Sequence, residues 1–184
     1  MNTALLLIDI QNDYLPGGRY PLDRPEEAAM QAARLLAFFR SRRMPVCHVQ
    51  HLGGSNAPFF VPETKGAEIH PSVAPLSNEP VVIKHSPDSF FETSLRHLLQ
   101  ENHIEALTVC GMMTHMCIDT TVRAARNFGY PVTVIGDACA CRSLEWNGLT
   151  IPAGMVQAAF LASLQGSFAN VLSAEAWLSQ QNIG

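Results

Sequence analysis

Apolar residues along this chain fall into short unbroken runs separated by amphipathic stretches, the alternation expected of βαβ units. The runs at 4–8, 46–50, 81–83, 106–109, 132–135 and 168–172 predict strands, and the spacing over 26–42, 91–100, 114–128, 155–164 and 174–178 predicts helices. Because the runs are continuous rather than alternating with polar residues, they fit strands buried on both faces of a parallel sheet. The fold class predicted is therefore α/β, a three-layer α/β/α sandwich. Arg43-Met44-Pro45 and Gly129-Tyr130-Pro131 supply stop signals between a helix and the next strand. One connection breaks the rhythm: residues 51–80 are rich in Gly and Pro with little periodicity, and loops of that length are usually functional or interfacial. No repeat, linker or low-complexity tract divides the chain, so a single domain over 1–184 is expected.

Composition narrows the partners. At 184 residues and 47% hydrophobic content the chain can bury a substantial core. Its formal charge of −4 gives no basic footprint, which argues against nucleic acid and anionic membrane surfaces and leaves a small-molecule substrate or other proteins as partners. The opening MNTALLLIDIQNDY carries no cationic leader, and its apolar run stops at Asp9, too soon for a signal core or a membrane span. Five scattered cysteines, Cys47, Cys110, Cys117, Cys139 and Cys141, in such a chain suggest a reducing, cytoplasmic location.

Ligands of open parallel sheets bind beyond the carboxyl ends of the strands, and three reactive side chains fall there. Asp9 closes the first strand, Lys84 closes the third, and Cys117 follows the fourth at the start of a helix, where partial positive charge should lower a thiol's pKa. Singly, each has an ordinary reading: a buried filler thiol, a turn or cap carboxylate, a solvated lysine. Jointly, a thiol, a carboxylate and an ammonium at one sheet edge form the nucleophile, base and cation needed for acyl transfer. Gly111 tolerates a tight backbone turn before the helix, and Thr114 is a candidate cap.

The segments LLLIDIQNDY, VIKHSPDSF and CGMMTHMCIDTTVRAA resemble the three signature segments of the isochorismatase-like cysteine hydrolases, a family that includes nicotinamidases and N-carbamoylsarcosine amidase. The resemblance spans most of the chain and implies a six-stranded parallel sheet of order 3-2-1-4-5-6. It implies catalytic roles for Asp9, Lys84 and Cys117, and a cis peptide between Met112 and Met113. The Met113 and Cys117 backbone N–H groups would then form an oxyanion hole. The implied activity is hydrolysis of a small amide or carbamoyl C–N bond through a thioester, with no cofactor required and a homo-oligomer, dimer or tetramer, as the assembly. Isochorismatases proper lack the nucleophilic cysteine, so Cys117 argues against vinyl-ether hydrolysis.

Nicotinamidases of the family hold a metal through a D-x-H…H pattern after the second strand. Here VCHVQHLGGSNAPFF keeps His48 and His51 without the aspartate, and strand alternation puts the two on opposite faces, so no metal is expected. His48 is assigned to core hydrogen bonding and His51 to the mouth of the site. Candidates for the substrate pocket are Gln11, Tyr14, Phe59, Phe60, His85, Phe90, Trp146 and Asn147, a set that favours an apolar or planar acyl group. Cys139 and Cys141 form only a C-x-C and are assigned to structure. Two rivals stand beside the hydrolase: a catalytically idle oligomeric scaffold, and a small-ligand-binding module. A dinucleotide-binding version of the latter is disfavoured because the first βα turn has Gly17-Gly18 and no G-x-G-x-x-G.

Overall fold

The computed structural model describes residues 1–181. Six strands form one all-parallel sheet: β1 (Thr3–Ile8), β2 (Val46–His51), β3 (Val81–Lys84), β4 (Ala106–Met112), β5 (Val132–Ala140) and, last in the chain, β8 (Asn170–Leu172). Their order across the sheet is β3-β2-β1-β4-β5-β8, so the chain winds outward in both directions from β1. Strands β6 (Leu144–Trp146) and β7 (Leu149–Ile151) form a separate antiparallel hairpin. With the hairpin set apart, β8 is the sixth strand of the sheet and the order is the 3-2-1-4-5-6 expected.

Alternate residues of β1 feed two cores, because successive strand side chains point to opposite faces. Leu5 and Leu7 pack with helices α1 (Pro25–Ser41) and α5 (Ala174–Gln181), whereas Leu6 and Ile8 pack with α2 (Leu95–Glu101) and α3 (Asp119–Asn127). Helix α1 starts with Pro25 at its first position and Glu26 and Glu27 in its first turn, which suit the fixed proline φ and the positive helix end. Its buried stripe, Ala28, Ala29, Ala32, Leu35, Leu36 and Phe39, follows helical spacing. Phe39 stacks on Trp177 of α5 at 5.3 Å, a burial worth about 1.5–3 kcal/mol.

Several expected bounds shift for identifiable reasons. Helix α2 begins at Leu95 rather than 91, because Thr93 turns back to the Ser89 carbonyl at 2.6 Å and its hydroxyl accepts the Leu95 N–H at 3.2 Å. Edge strand β3 alternates, with Val81 and Ile83 partly exposed, since no helix covers that margin of one face. Strand β5 runs on to Ala140 through an irregular step that takes the pairing from Val109↔Val134 to Gly111↔Cys139. Helix α4 (Ala153–Leu164) starts just after the hairpin, and no helix among the described residues is long and apolar enough to cross a membrane.

At the amino ends of the strands, Glu79 of the long 52–80 connection ties three elements together. Its carboxylate accepts from Arg40 Nε at 2.8 Å and Nη2 at 2.7 Å, from the Leu76 N–H at 2.9 Å and from His48 Nε2 at 3.0 Å. Arg40 and the other donors hold Glu79 down at about 2, while burial keeps His48 neutral. A carboxyl depressed in the folded state contributes stability above its unfolded value of ~4.3, and that contribution disappears as pH falls toward the folded value. Urea midpoints are therefore expected to fall between pH ~4.3 and 2, and Glu79→Gln should flatten that part of the profile.

Candidate active site

The carboxyl ends of β1, β3 and β4 converge on one buried cluster. Asp9 follows β1 in a left-handed conformation, φ 53°, which aspartate adopts more readily than most residues. Lys84 is the last residue of β3, and Cys117 lies in a π-helical turn, Thr114–Ile118, between β4 and α3. Asp9 and Lys84 are wholly buried and Cys117 is 5% exposed. Lys84 Nζ stands 2.8 Å from Asp9 Oδ2 and 3.1 Å from Cys117 Sγ. It also lies 3.0 Å from the Ser86 carbonyl oxygen and 3.0 Å from His51 Nδ1, so four acceptors surround one ammonium, with the Asp9 carboxylate the nearest of them.

The electrostatics correct one expectation. Burial outweighs the positive turn end and Lys84, and pushes the Cys117 thiol well above its ordinary value instead of below it. Burial also raises Asp9 against the opposing pull of Lys84, which makes the carboxylate a stronger base. Lys84 stays charged: burial disfavours its ammonium, but Asp9 and Cys117 outweigh that and raise it. The resting cluster is then a neutral thiol beside an ion pair, with an unsolvated carboxylate positioned to take the thiol proton.

His51 reaches deeper than the mouth assigned to it. Burial, aided by Lys84, pushes its imidazole down to about 4, so neutral Nδ1 accepts from Lys84. One ligand atom each from Asp9, His51 and Cys117 lie within 4.8 Å of one another, a set able to hold a metal ion. The Lys84 ammonium contacts all three residues at 2.8–3.1 Å and places its own positive charge where a metal would sit. That geometry does not fit a resident metal. His48 lies apart, on Glu79, with Nδ1 unpartnered.

The peptide bond Met112–Met113 is cis. Gly111 before it has φ 136°, and a Cβ there would meet the Ile8 carbonyl oxygen of β1 at 2.0 Å. The neighbour is backbone in a paired strand and cannot yield. Gly111→Ala is expected to destabilise the fold by at least ~3 kcal/mol in urea unfolding. No hydrogen bond among the described residues uses the Met113 N–H. Thr114 does not cap the turn as expected: its hydroxyl faces Gln157 Oε1 of α4 at 2.6 Å and the Ala140 carbonyl at 3.2 Å. Gln157 Nε2 in turn donates to the Gly136 and Cys139 carbonyls at 3.0 and 3.1 Å, pinning the irregular end of β5 beside the cysteine turn.

A cavity of about 690 Å³ is lined by Met113 and Met116 of the cysteine turn, Tyr20, Phe59, Arg142 and Phe160, among others. Its aromatic wall leads inward: Tyr20 to Phe59 at 4.5 Å, Phe59 to Phe60 at 5.0 Å, Phe60 to His51 at 6.0 Å. Of the pocket candidates, Phe59 lines the cavity, while Tyr14 and Phe60 are buried behind it. The other five are elsewhere. Gln11 is wholly buried as a strap, donating to the His51 and Ala67 carbonyls at 2.8 and 2.7 Å and accepting the His51 N–H. His85 binds the Leu52 carbonyl at 2.8 Å, and Phe90 packs on Phe128 in the α2–α3 core. Trp146 and Asn147 sit on the protruding hairpin, Trp146 71% exposed, because the Asn147-Gly148 turn carries them outward. Tyr20, His115, Arg142 and Phe160 were absent from the candidates: nothing in their local sequence marks them, and only the folded chain juxtaposes them.

A six-stranded, all-parallel sheet of this order, flanked by helices, is the isochorismatase-like α/β fold. The sequence profile of the isochorismatase domain matches residues 3–176, and the chain belongs to that family. It is 52% identical to an isochorismatase family protein of Bacillus subtilis, YddQ, over 97% of this chain and 99% of that one. An isochorismatase structure from Pseudomonas putida KT2440 superposes with a TM-score of 0.91 at 35% identity, covering 95% and 89% of the two chains. The nicotinamidase of Escherichia coli K12 is 29% identical over 74% of this chain and 82% of its own length. Relatives named for an activity include this nicotinamidase and a streptothricin hydrolase of Streptomyces noursei, both hydrolases.

Proposed function

We propose that this protein is a cysteine hydrolase that cleaves the C–N bond of a small amide or carbamoyl compound through a thioester on Cys117. The observation that carries the reading is the contact of Lys84 Nζ with both Asp9 Oδ2 and Cys117 Sγ in a cluster closed to water. The nicotinamidase relative supports an amide as the bond attacked.

Asp9 takes the thiol proton as Sγ forms a bond to the substrate carbonyl carbon, so charge is never left on an isolated buried thiolate. Burial raises the basicity of Asp9, which favours its taking the proton, and the same burial opposes release of a free thiolate. Lys84 remains an ammonium throughout and holds carboxylate and sulfur in register. The carbonyl oxygen gains the negative charge and is met by the N–H groups of Met113 and Cys117, donors of a kind worth roughly 2.7–4 kcal/mol each in acyl transfer. When the C–N bond breaks, Asp9 returns its proton to the nitrogen and ammonia or an amine leaves. Water then attacks the thioester carbon, gives a proton to Asp9, and the C–S bond breaks as the thiol is re-formed.

The reading is tested by ammonia release over a panel of small amides, carbamoyl compounds and ureides, with the Cys117→Ala variant as control. A substrate hydrolysed equally by that variant would contradict the covalent route.

A further inference from the structure

Arg142 lies two residues beyond the end of β5 and lines the same cavity as Met113. Arg24, Arg40 and Arg123 each close an ion pair, with Glu27, Glu79 and Asp119. Arg142 closes none among the described residues, although it is half-buried. Its guanidinium carbon lies 4.7 Å over the Tyr20 ring, one Nη1 hydrogen bond goes to the Tyr20 hydroxyl, and Nε donates to the Ser143 carbonyl at 3.2 Å. Nη2 has no partner among the described residues.

A half-withdrawn cation without a counter-charge is poorly satisfied, whereas a guanidinium already fixed by stacking loses little freedom on taking up a planar anion. The other titratable residues lining the cavity do not supply that anion. Burial keeps His115 below its ordinary value and so neutral near pH 7, and Glu145 is exposed and makes no ion pair with Arg142. The rest of the lining is largely apolar: Phe59, Phe160 and Met116 line the same space.

Resting on the hydrolase reading above, we propose that the substrate is an amide or carbamoyl compound whose apolar body ends in a carboxylate, and that Arg142 is the residue that reads this carboxylate. Arg142 touches substrate away from the scissile bond and determines specificity.

The experiment compares matched probes by calorimetry on the full chain in a Cys117→Ala background, where turnover cannot intervene. The probes are 4-carbamoylbenzoate, benzamide and 4-(aminomethyl)benzamide, with succinamate and butyramide as the aliphatic pair. Each carboxylate is expected to bind at least ~10-fold more tightly than its neutral partner, the scale of a charge-assisted hydrogen bond, and the ammonium probe most weakly. Adding Arg142→Gln should bring charged and neutral probes level. Arg142→Lys should retain part of the preference, because it keeps the charge but not the paired donors. A residue that only braces Tyr20 would weaken all probes alike. Equal binding of charged and neutral probes, no measurable binding of either carboxylate, or a preference that survives Arg142→Gln overturns the proposal; should that variant fail to fold, an undiminished preference in Arg142→Lys does so. Cys117-dependent ammonia release by the otherwise unsubstituted chain is scored separately, so failure of the hydrolase reading is distinguishable from failure of the carboxylate preference.

Discussion

Cys117→Ala is expected to lower kcat for any true substrate by about 10⁴-fold or more, the scale seen when a nucleophile is removed from a cooperative catalytic unit. The loss should fall on kcat with KM little changed, since the cavity lined by Tyr20, Phe59 and Phe160 is untouched. Stability should change little, because alanine removes a poorly ionised thiol from a packed site and leaves the Lys84–Asp9 ion pair in place. Quenching the unsubstituted enzyme during turnover should reveal, by mass spectrometry, an acyl group on the peptide containing Cys117. Retention of activity by the alanine variant, or an acyl adduct on another cysteine, would remove the mechanism. The other four cysteines are poor candidates: burial raises all five thiols, and among the described residues Lys84 contacts the sulfur of Cys117 alone.

Lys84→Ala should be the most damaging single change to the cluster. It leaves Asp9 wholly buried without a cation, and breaking a buried pair in this way costs about 3–5 kcal/mol. Asp9 can relieve the cost by taking a proton. A carboxyl raised in the folded state contributes least above its unfolded pKa, so the deficit relative to the parent should be largest near pH 7–8 and shrink toward pH 4. Activity should be lost at every pH, since nothing then holds carboxylate and sulfur in register, and at lower pH a protonated Asp9 cannot act as base either. The substitution also vacates the position between Asp9, His51 and Cys117 that the ammonium fills. Zinc should therefore raise the melting temperature of Lys84→Ala and not that of the parent, and adding His51→Ala should abolish the gain. Equal stabilisation of the parent by zinc would show that the lysine does not stand in place of a metal.

Much of the scaffold was legible along the chain. Continuous apolar runs such as 4–8 and 106–109 can only be satisfied when both faces are covered, so they signal a parallel sheet between helical layers. Asp9, Lys84 and Cys117 were legible for a related reason: the first two stand directly at the end of such a run, Cys117 follows another at the start of a helix, and the carboxyl ends of parallel strands share one edge. Their mutual distances were not, nor was the direction of the thiol's pKa. A sequence displays the turn that favours a thiolate but not the burial that opposes it, and here burial prevails.

The pocket was hardest to read because its walls come from segments with no common periodicity. Phe59 and Phe90 look alike in sequence, yet one lines the cavity and the other fills the α2–α3 core. Trp146 invites a place in the site, but a two-residue turn at Asn147-Gly148 turns it outward. Arg142 and Tyr20 lie 122 residues apart and meet only across the folded chain. Local pattern thus determined the layers, the strand ends and the three reactive groups placed on them, because those follow from the two- and 3.6-residue periods of the backbone. Tertiary packing alone decided how deeply each group is buried, which cation occupies the space among Asp9, His51 and Cys117, and which side chains line the neighbouring cavity, because solvation and proximity belong to contacts between distant segments.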